Sequence, residues 1–300
     1  MALFDIDDPE AALGYRNIRK AEYPIEAEIK AGLEDLWAVY ESYADANFVA
    51  EFSKQPDNRF WEMYLTVQLL RRKKKLLTRD ERPRCKNGDK GPDICVCKGN
   101  RKIWIEAIAP SAGDAENIDQ VPDLIAANAV LDAPRRQVEL RITSSLYTKL
   151  CAFEKYRQDE IIQDNDSCIV AISAAHFALQ ALPFGLPYAV SAVYPFGQEQ
   201  FIITNNDVRN ARRSFAYAGH IERGNADPIP RTAFQHDYFE NIAGLIWSRR
   251  SIGSFLGQKH DLIFVHNQRA VKPIPRAWTR WAEEYVAPRD RNVLQRFRRG

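Results

Sequence analysis

Two carboxylates stand in a stretch that is otherwise largely apolar, "GPDICVCKGNRKIWIEAIAP", Gly91 to Pro110. Asp93 follows a proline at the mouth of one expected strand, and Glu106 lies within the next. Side chains alternate across a strand, so Glu106 shares a face with Trp104 and Ile108, while Ile103, Ile105 and Ala107 point the other way. Both faces are apolar and should be covered, which makes an isolated ionised carboxylate costly there. Glu106 is therefore expected to meet a cation, a metal or a hydrogen-bond donor, or to take up a proton. Asp93 can face the same spot, and two such carboxylates make a hard oxygen site suited to Mg²⁺ or Mn²⁺. Glu62 is a third candidate. On a helical net it neighbours Leu65 and Leu69, at the margin of a stripe that should face a sheet.

The elements that must hold these residues follow from periodicity. From Pro24, the positions Ile25, Ile29, Leu33, Leu36, Tyr40 and Tyr43 keep helical spacing, with proline suited to a first helical position. A second helix is expected after Asn58, through "RFWEMYLTVQLLRRKKKLL", with basic residues gathering at its C-terminal end. Residues 78 to 89 read as a loop, with a short strand near Leu76. Ile94–Cys97 and Lys102–Ile108 read as strands joined by a turn, a β-hairpin. Residues 109 to 134 read as a loop with a short helix, followed by a helix through Val138, Ile142, Leu146, Leu150 and Phe153. Further strands are expected at Ser167–Ser173, Tyr188–Tyr194, Phe201–Thr204, "GLIWS" and "DLIFVHN", with a polar insertion over 205–240. "RAWTRWAEEYVAP" reads as a helix to about Val286, then a basic tail.

This order implies an α+β or mixed α/β domain with helices packed on a central sheet. Residues 1–57 form an N-terminal helical segment, 58–268 the core and 269–300 a basic C-terminal helix and tail, all in one compact unit. No run of about 18 apolar residues and no secretory leader pattern is visible, so a cytoplasmic protein without a membrane partner is expected. Five cysteines make no disulfide framework. Cys85, Cys95 and Cys97 form no pair of Cys-x-x-Cys knuckles, and His260 and His266 lack metal-ligand spacing, so buried thiols and strand-end histidines are expected instead of zinc. The net charge of +2 hides an uneven distribution: residues 1–51 carry −8, residues 70–102 carry +9 and residues 269–300 carry +6. If the two basic segments meet, a polyanion becomes a plausible partner.

"GPDI" followed by "IWIEAI", after a helix carrying "FWEMYL", resembles the PD-(D/E)XK phosphodiesterase superfamily, which includes restriction endonucleases, Holliday-junction resolvases and RecB-type nucleases. The resemblance spans roughly residues 58–173 and implies a restriction endonuclease-like core. It implies that Asp93 and Glu106 bind divalent metal, that Ala107 lends its carbonyl and that Glu62 assists from the first core helix. The superfamily's lysine two residues after the glutamate is Ile108 here, which can neither orient a water nor stabilise charge on a phosphate. Some members carry that lysine on the following helix. Lys149, one row from Leu146 and Phe153, is the residue that fits, with Lys102 and Lys155 as alternatives. Arg71, Arg72 and Arg141 would then contact the nucleic acid, DNA more readily than RNA, together with the C-terminal arginines.

Three readings follow from these residues. The first is a Mg²⁺- or Mn²⁺-dependent nuclease using activated water, with Asp93, Glu106 and Lys149 as its catalytic set. In the second, the nuclease-like fold has lost turnover and binds nucleic acid or protein. The third is structural: Glu106 forms a buried ion pair with Lys149 or Arg141, an arrangement that gains little over apolar packing and leaves Asp93 unexplained.

Overall fold

A computed structural model describes residues 1–114, 117–123, 133–182, 185–203, 209, 211–257, 262–287 and 294–298. The expected short helix within 109–134 falls largely outside these, as do His260 and most of the basic tail.

Four helices come first: α1 (Leu13–Lys20), α2 (Pro24–Tyr40), α3 (Phe48–Lys54) and α4 (Pro56–Arg71). Proline at the first helical position starts both α2 and α4, where its fixed φ and missing N–H carry no penalty. From Phe60 to Val67 every residue of α4 is buried, the signature of a helix covered on all sides. It lies between the N-terminal helices and a sheet, and its Trp61 indole donates to the Ala171 carbonyl at 2.9 Å.

The sheet begins with β1 (Lys75–Leu76), β2 (Ile94–Lys98) and β3 (Arg101–Ile108), paired antiparallel in that order. Gly99, with φ of +60°, makes the tight turn between β2 and β3, a backbone conformation that glycine adopts without steric penalty. Helix α5 (Arg135–Gln158) then crosses to β4 (Ser167–Ser173), parallel to β3. After the short helix α6 (Tyr188–Ser191) come two small ribbons, β5 (Phe196–Ile202) with β6 (Arg212–Tyr217) and β7 (His220–Ile221) with β8 (Ile229–Pro230). The main sheet resumes with β9 (Ile242–Ser248), β10 (Ile263–His266), a helical turn α7 (Arg276–Thr279), β11 (Glu283–Val286) and β12 (Gln295–Phe297). Among the described residues its eight strands run β1-β2-β3-β4-β9-β10-β11-β12. This is a mixed α+β architecture with a large mixed central sheet flanked by helices.

Strand alternation divides the core in two. Ile103 and Ile105 of β3 with Ile169 and Ala171 of β4 pack toward α4 and the N-terminal helices. Trp104, Val170 and Ile172 face α5, meeting Val138, Ile142, Leu146, Leu150 and Phe153. No helix among the described residues is long and apolar enough to cross a membrane. The five cysteines carry free thiols.

Several expected elements differ. Tyr188–Tyr194 is not a strand: α6 occupies its first part, and all its apolar residues join the α5-side core. A fully buried apolar run has no period to distinguish helix from strand. The expected C-terminal helix ends after one turn, and Glu283–Val286 instead pairs parallel with β10. Trp278 and Trp281 are both buried in the core that also holds α4, and their helical spacing reflects a single turn, not a continuing helix. The strand expected at Phe201–Thr204 lies earlier, at Phe196–Ile202, and the described part of 205–240 contains ribbon strands.

Candidate active site

The hairpin register places Ile94 opposite Ile105, so Asp93, one residue before β2, stands opposite Glu106. Directly opposed residues of an antiparallel pair share a face. Asp93 Oδ2 accepts the Ala107 N–H at 2.8 Å, which closes the end of the hairpin. The approach of Asp93 is fixed from behind. Arg82 donates to the Pro92 and Asp93 carbonyls with one nitrogen, and with the other to the Tyr43 carbonyl at 2.8 Å and to Asp45 at 3.3 Å. At Gly91 a Cβ would come within 2.5 Å of the Pro83 carbonyl, so only glycine permits this close passage.

Glu106 is 3% exposed. Its Oε2 accepts a hydrogen bond from Lys149 Nζ at 2.5 Å, reaching down from α5. Leu146, Leu150 and Phe153, its neighbours on α5, are buried in the core on that side of the sheet. The Tyr156 hydroxyl, also on α5, interacts with the same buried carboxyl. Burial and the negative charge of Asp93 push the Glu106 carboxyl up to about 7, against the opposing pull of Lys149 and the nearby Tyr156 hydroxyl. Lys149 loses charge stability to burial, yet Glu106 and Asp93 together raise its pKa above the ordinary lysine value.

Glu62 is equally buried, and both its oxygens are engaged. Oε1 accepts from the Tyr40 hydroxyl at 2.6 Å and Oε2 from Arg59 at 2.9 Å. Burial, then Asp93, pushes it up to about 7, with Arg59 and Tyr40 pulling the other way. Arg59 in turn meets Glu51 of α3 at 3.0 Å. Asp93 thus lies electrostatically between two protonatable carboxylates, Glu106 on β3 and Glu62 on α4.

No family model, curated protein or solved structure matches this chain.

The structure brings Asp93, Glu106 and Lys149 together, with Glu62 behind them. Among the described residues no three or more His, Cys, Asp and Glu side chains gather into a metal-ligand group. The site therefore offers two acids and leaves any remaining coordination to carbonyls and water. Ile108 is half-buried against the α5-side core, two residues from Glu106. The alternative lysines lie elsewhere: Lys102 Nζ sits 5.3 Å from the Trp104 ring centroid and Lys155 pairs with Asp89 at 2.9 Å.

The three arginines expected at a nucleic-acid surface separate. Arg71 and Arg72 lie at the C-terminal end of α4, next to β1, which pairs with the end of β2 remote from Asp93. There the two basic segments meet: Arg72 lies over the Trp281 ring at 5.7 Å, Lys74 over Trp278 at 5.3 Å, and Arg101 donates to the Lys272 and Pro273 carbonyls. Arg141 makes no ion pair with Glu106 and lines a separate cavity beside α5.

Four neighbours of the acids were not singled out by sequence: Tyr40, Arg59, Arg82 and Tyr156. Two carry a local signal. Arg59 precedes Glu62 by three positions on a helix and Tyr156 follows Lys149 by seven, so each shares a face with its partner. Tyr40 and Arg82 reach the site only through tertiary packing.

Proposed function

We propose that the chain is a Mg²⁺- or Mn²⁺-dependent phosphodiesterase acting on nucleic acid, DNA in preference to RNA, built on a restriction endonuclease-like core. The observation that carries this reading is the pairing of two acids across the hairpin, Glu106 and Asp93, with Lys149 Nζ on one Glu106 oxygen and the Tyr156 hydroxyl beside the same carboxyl. Burial and Asp93 both disfavour the charged form of Glu106, a cost that a cation at the pair would relieve further than Lys149 alone does. The element order adds support, since α4 carries Glu62, the hairpin Asp93 and Glu106, and α5 Lys149, with β4 parallel beside β3.

The donor set fits a divalent ion. Mg²⁺ is held by one or two carboxylates and completes its shell with water and substrate oxygens, so a sparse site suits it better than a protein cage. Asp93, Glu106 and the Ala107 carbonyl would hold the ion, with Glu62 behind them. When bound, such an ion lowers the pKa of water and offsets charge on the phosphate. The chain's own residues do the rest. Lys149 supplies the positive charge that Ile108 cannot, at Oε2 of Glu106. Glu106, poised near neutrality, can release its proton as a cation arrives. Arg82 holds the Asp93 backbone so that the two acids stay in register.

The second reading, a binding module that has lost turnover, rests on Ile108 in place of the superfamily's lysine. Calorimetric titration of the full chain with Mn²⁺ separates the metal readings from a bare ion pair. Heat of binding at millimolar Mn²⁺, lost in Glu106→Gln, is expected; no heat in wild type would leave only the structural ion pair.

A further inference from the structure

On the side of α5 away from Glu106, a cavity of about 530 Å³ opens between the helix, the Asn117–Asp119 loop and the 229–239 segment. That volume lies within the roughly 300–1,000 Å³ typical of small-molecule sites. Leu140, Ser144 and Tyr147, at positions i, i+4 and i+7, present one row of α5 to it, a row that does not include Lys149. Leu140 and Phe239 make apolar walls.

The charges in the lining do not cancel. Asp119 is already satisfied, by Arg136 and by the Gly224 N–H at 3.1 Å. Arg141 is not: its Nε is buried without a hydrogen-bond partner, and among the described residues no carboxylate pairs with its guanidinium. A planar guanidinium fork with a desolvated N–H is matched by phosphate or carboxylate oxygens. At the mouth, Tyr147 and Tyr238 lie nearly parallel, 6.2 Å between ring centroids and 11° between planes, and both are about half exposed. Exposed tyrosine faces of this kind are stacking platforms for planar rings.

We infer that this cavity is a nucleotide-binding site, in which a base stacks on the Tyr147–Tyr238 pair while its phosphate engages Arg141. A purely apolar ligand would leave the arginine unmet, and a lone phosphate would leave the aromatic mouth and apolar walls unused. The site is separate from Glu106 and does not depend on hydrolysis there.

The test is calorimetry on the full chain in chelator-containing buffer, with AMP, GMP, CMP and UMP as probes and their matching nucleosides and ribose 5-phosphate as fragments. At least one mononucleotide is expected to bind with Kd below about 1 mM, and each of its fragments about tenfold or more weakly. Arg141→Gln should reduce that affinity about tenfold, toward the level of the bare nucleoside, and Tyr238→Ala severalfold. Tyr238 sits on an exposed 3-10 turn, so its variant reads binding even if Arg141→Gln should fail to fold. Glu106→Gln should change nothing, which separates this site from the hydrolytic one. The inference is overturned if no mononucleotide binds at millimolar concentration, or if binding is indifferent to both Arg141→Gln and Tyr238→Ala.

Discussion

Lys149 and Glu106, separated by 43 positions, meet at 2.5 Å across the interface between α5 and β3. The pair is asymmetric: burial opposes charge on both partners, but Asp93 favours the ammonium and disfavours the carboxylate. Removing the lysine strands an acid beside another acid. Lys149→Met should therefore destabilise the fold by roughly 2–4 kcal/mol at pH 8, near the range for breaking a buried pair. At pH 5.5, where Glu106 can protonate, the loss should shrink, and Glu106→Gln combined with Lys149→Met should recover most of it at pH 8. Urea denaturation at the two pH values measures both effects.

Glu106 and Glu62 both have carboxyl groups raised to about 7 in the folded chain. A raised acid binds more protons folded than unfolded, so its contribution is present below the unfolded value near 4.5 and lost as pH rises through 7. Stability should accordingly fall between pH 5 and pH 8. Glu62→Gln and Glu106→Gln should each flatten that fall, seen as a smaller shift in denaturant midpoint across the range.

Under the proposed function, Ile108 takes the place but not the chemistry of the lysine that a PD-(D/E)XK motif would carry. With Lys149→Met as background, Ile108→Lys should restore part of any nucleic-acid cleavage that the first substitution abolishes, by at least about tenfold, the scale of a positioned charged group. Ile108 is half-buried, so the added ammonium can reach solvent or Glu106 without entering the deep core. Single-turnover cleavage with Mn²⁺ checks this; no recovery, with folding intact, would show that a cation from β3 cannot serve the site.

Arg82 is 10% exposed on its side chain and binds three carbonyls and Asp45. Arg82→Met should loosen the Pro92–Asp93 backbone. Affinity for Mn²⁺ is expected to drop about tenfold, with a stability loss of roughly 1–3 kcal/mol from the unmet carbonyls. Calorimetry and urea denaturation on the same variant separate the two effects. Unchanged Mn²⁺ affinity would mean that the clamp positions nothing at the acids.

Much of this arrangement can be read from the chain before folding. The hairpin was legible because β-branched residues flank Gly99-Asn100, and α5 because Val138, Ile142, Leu146, Leu150 and Phe153 keep one period. Glu106 stands out because a charge within an apolar strand demands a partner, and Lys149 because the family resemblance allows its missing lysine on the next helix, where Leu146 and Phe153 flank it. Other features lay beyond local pattern. Tyr188–Tyr194 is buried on every side, so nothing periodic marked it as helical, and Glu283–Val286 became a strand through pairing with β10. Arg82 and Tyr40 gave no signal because their partners, Asp93 and Glu62, are brought to them only by the packing of distant segments. The full burial of Glu62 depends on α2 and α3 closing over α4, which its own helix does not encode.

The central claim is hydrolysis of a phosphodiester at Glu106, and a cleavage assay tests it most directly. Purified chain is incubated with linear and single-stranded DNA in Mg²⁺ or Mn²⁺, beside Glu106→Gln and Asp93→Asn. The account predicts metal-dependent cutting by wild type that falls by about 10²-fold or more in either variant, while their folds persist. No cutting of either substrate with either metal, or cutting that survives Glu106→Gln, would contradict it.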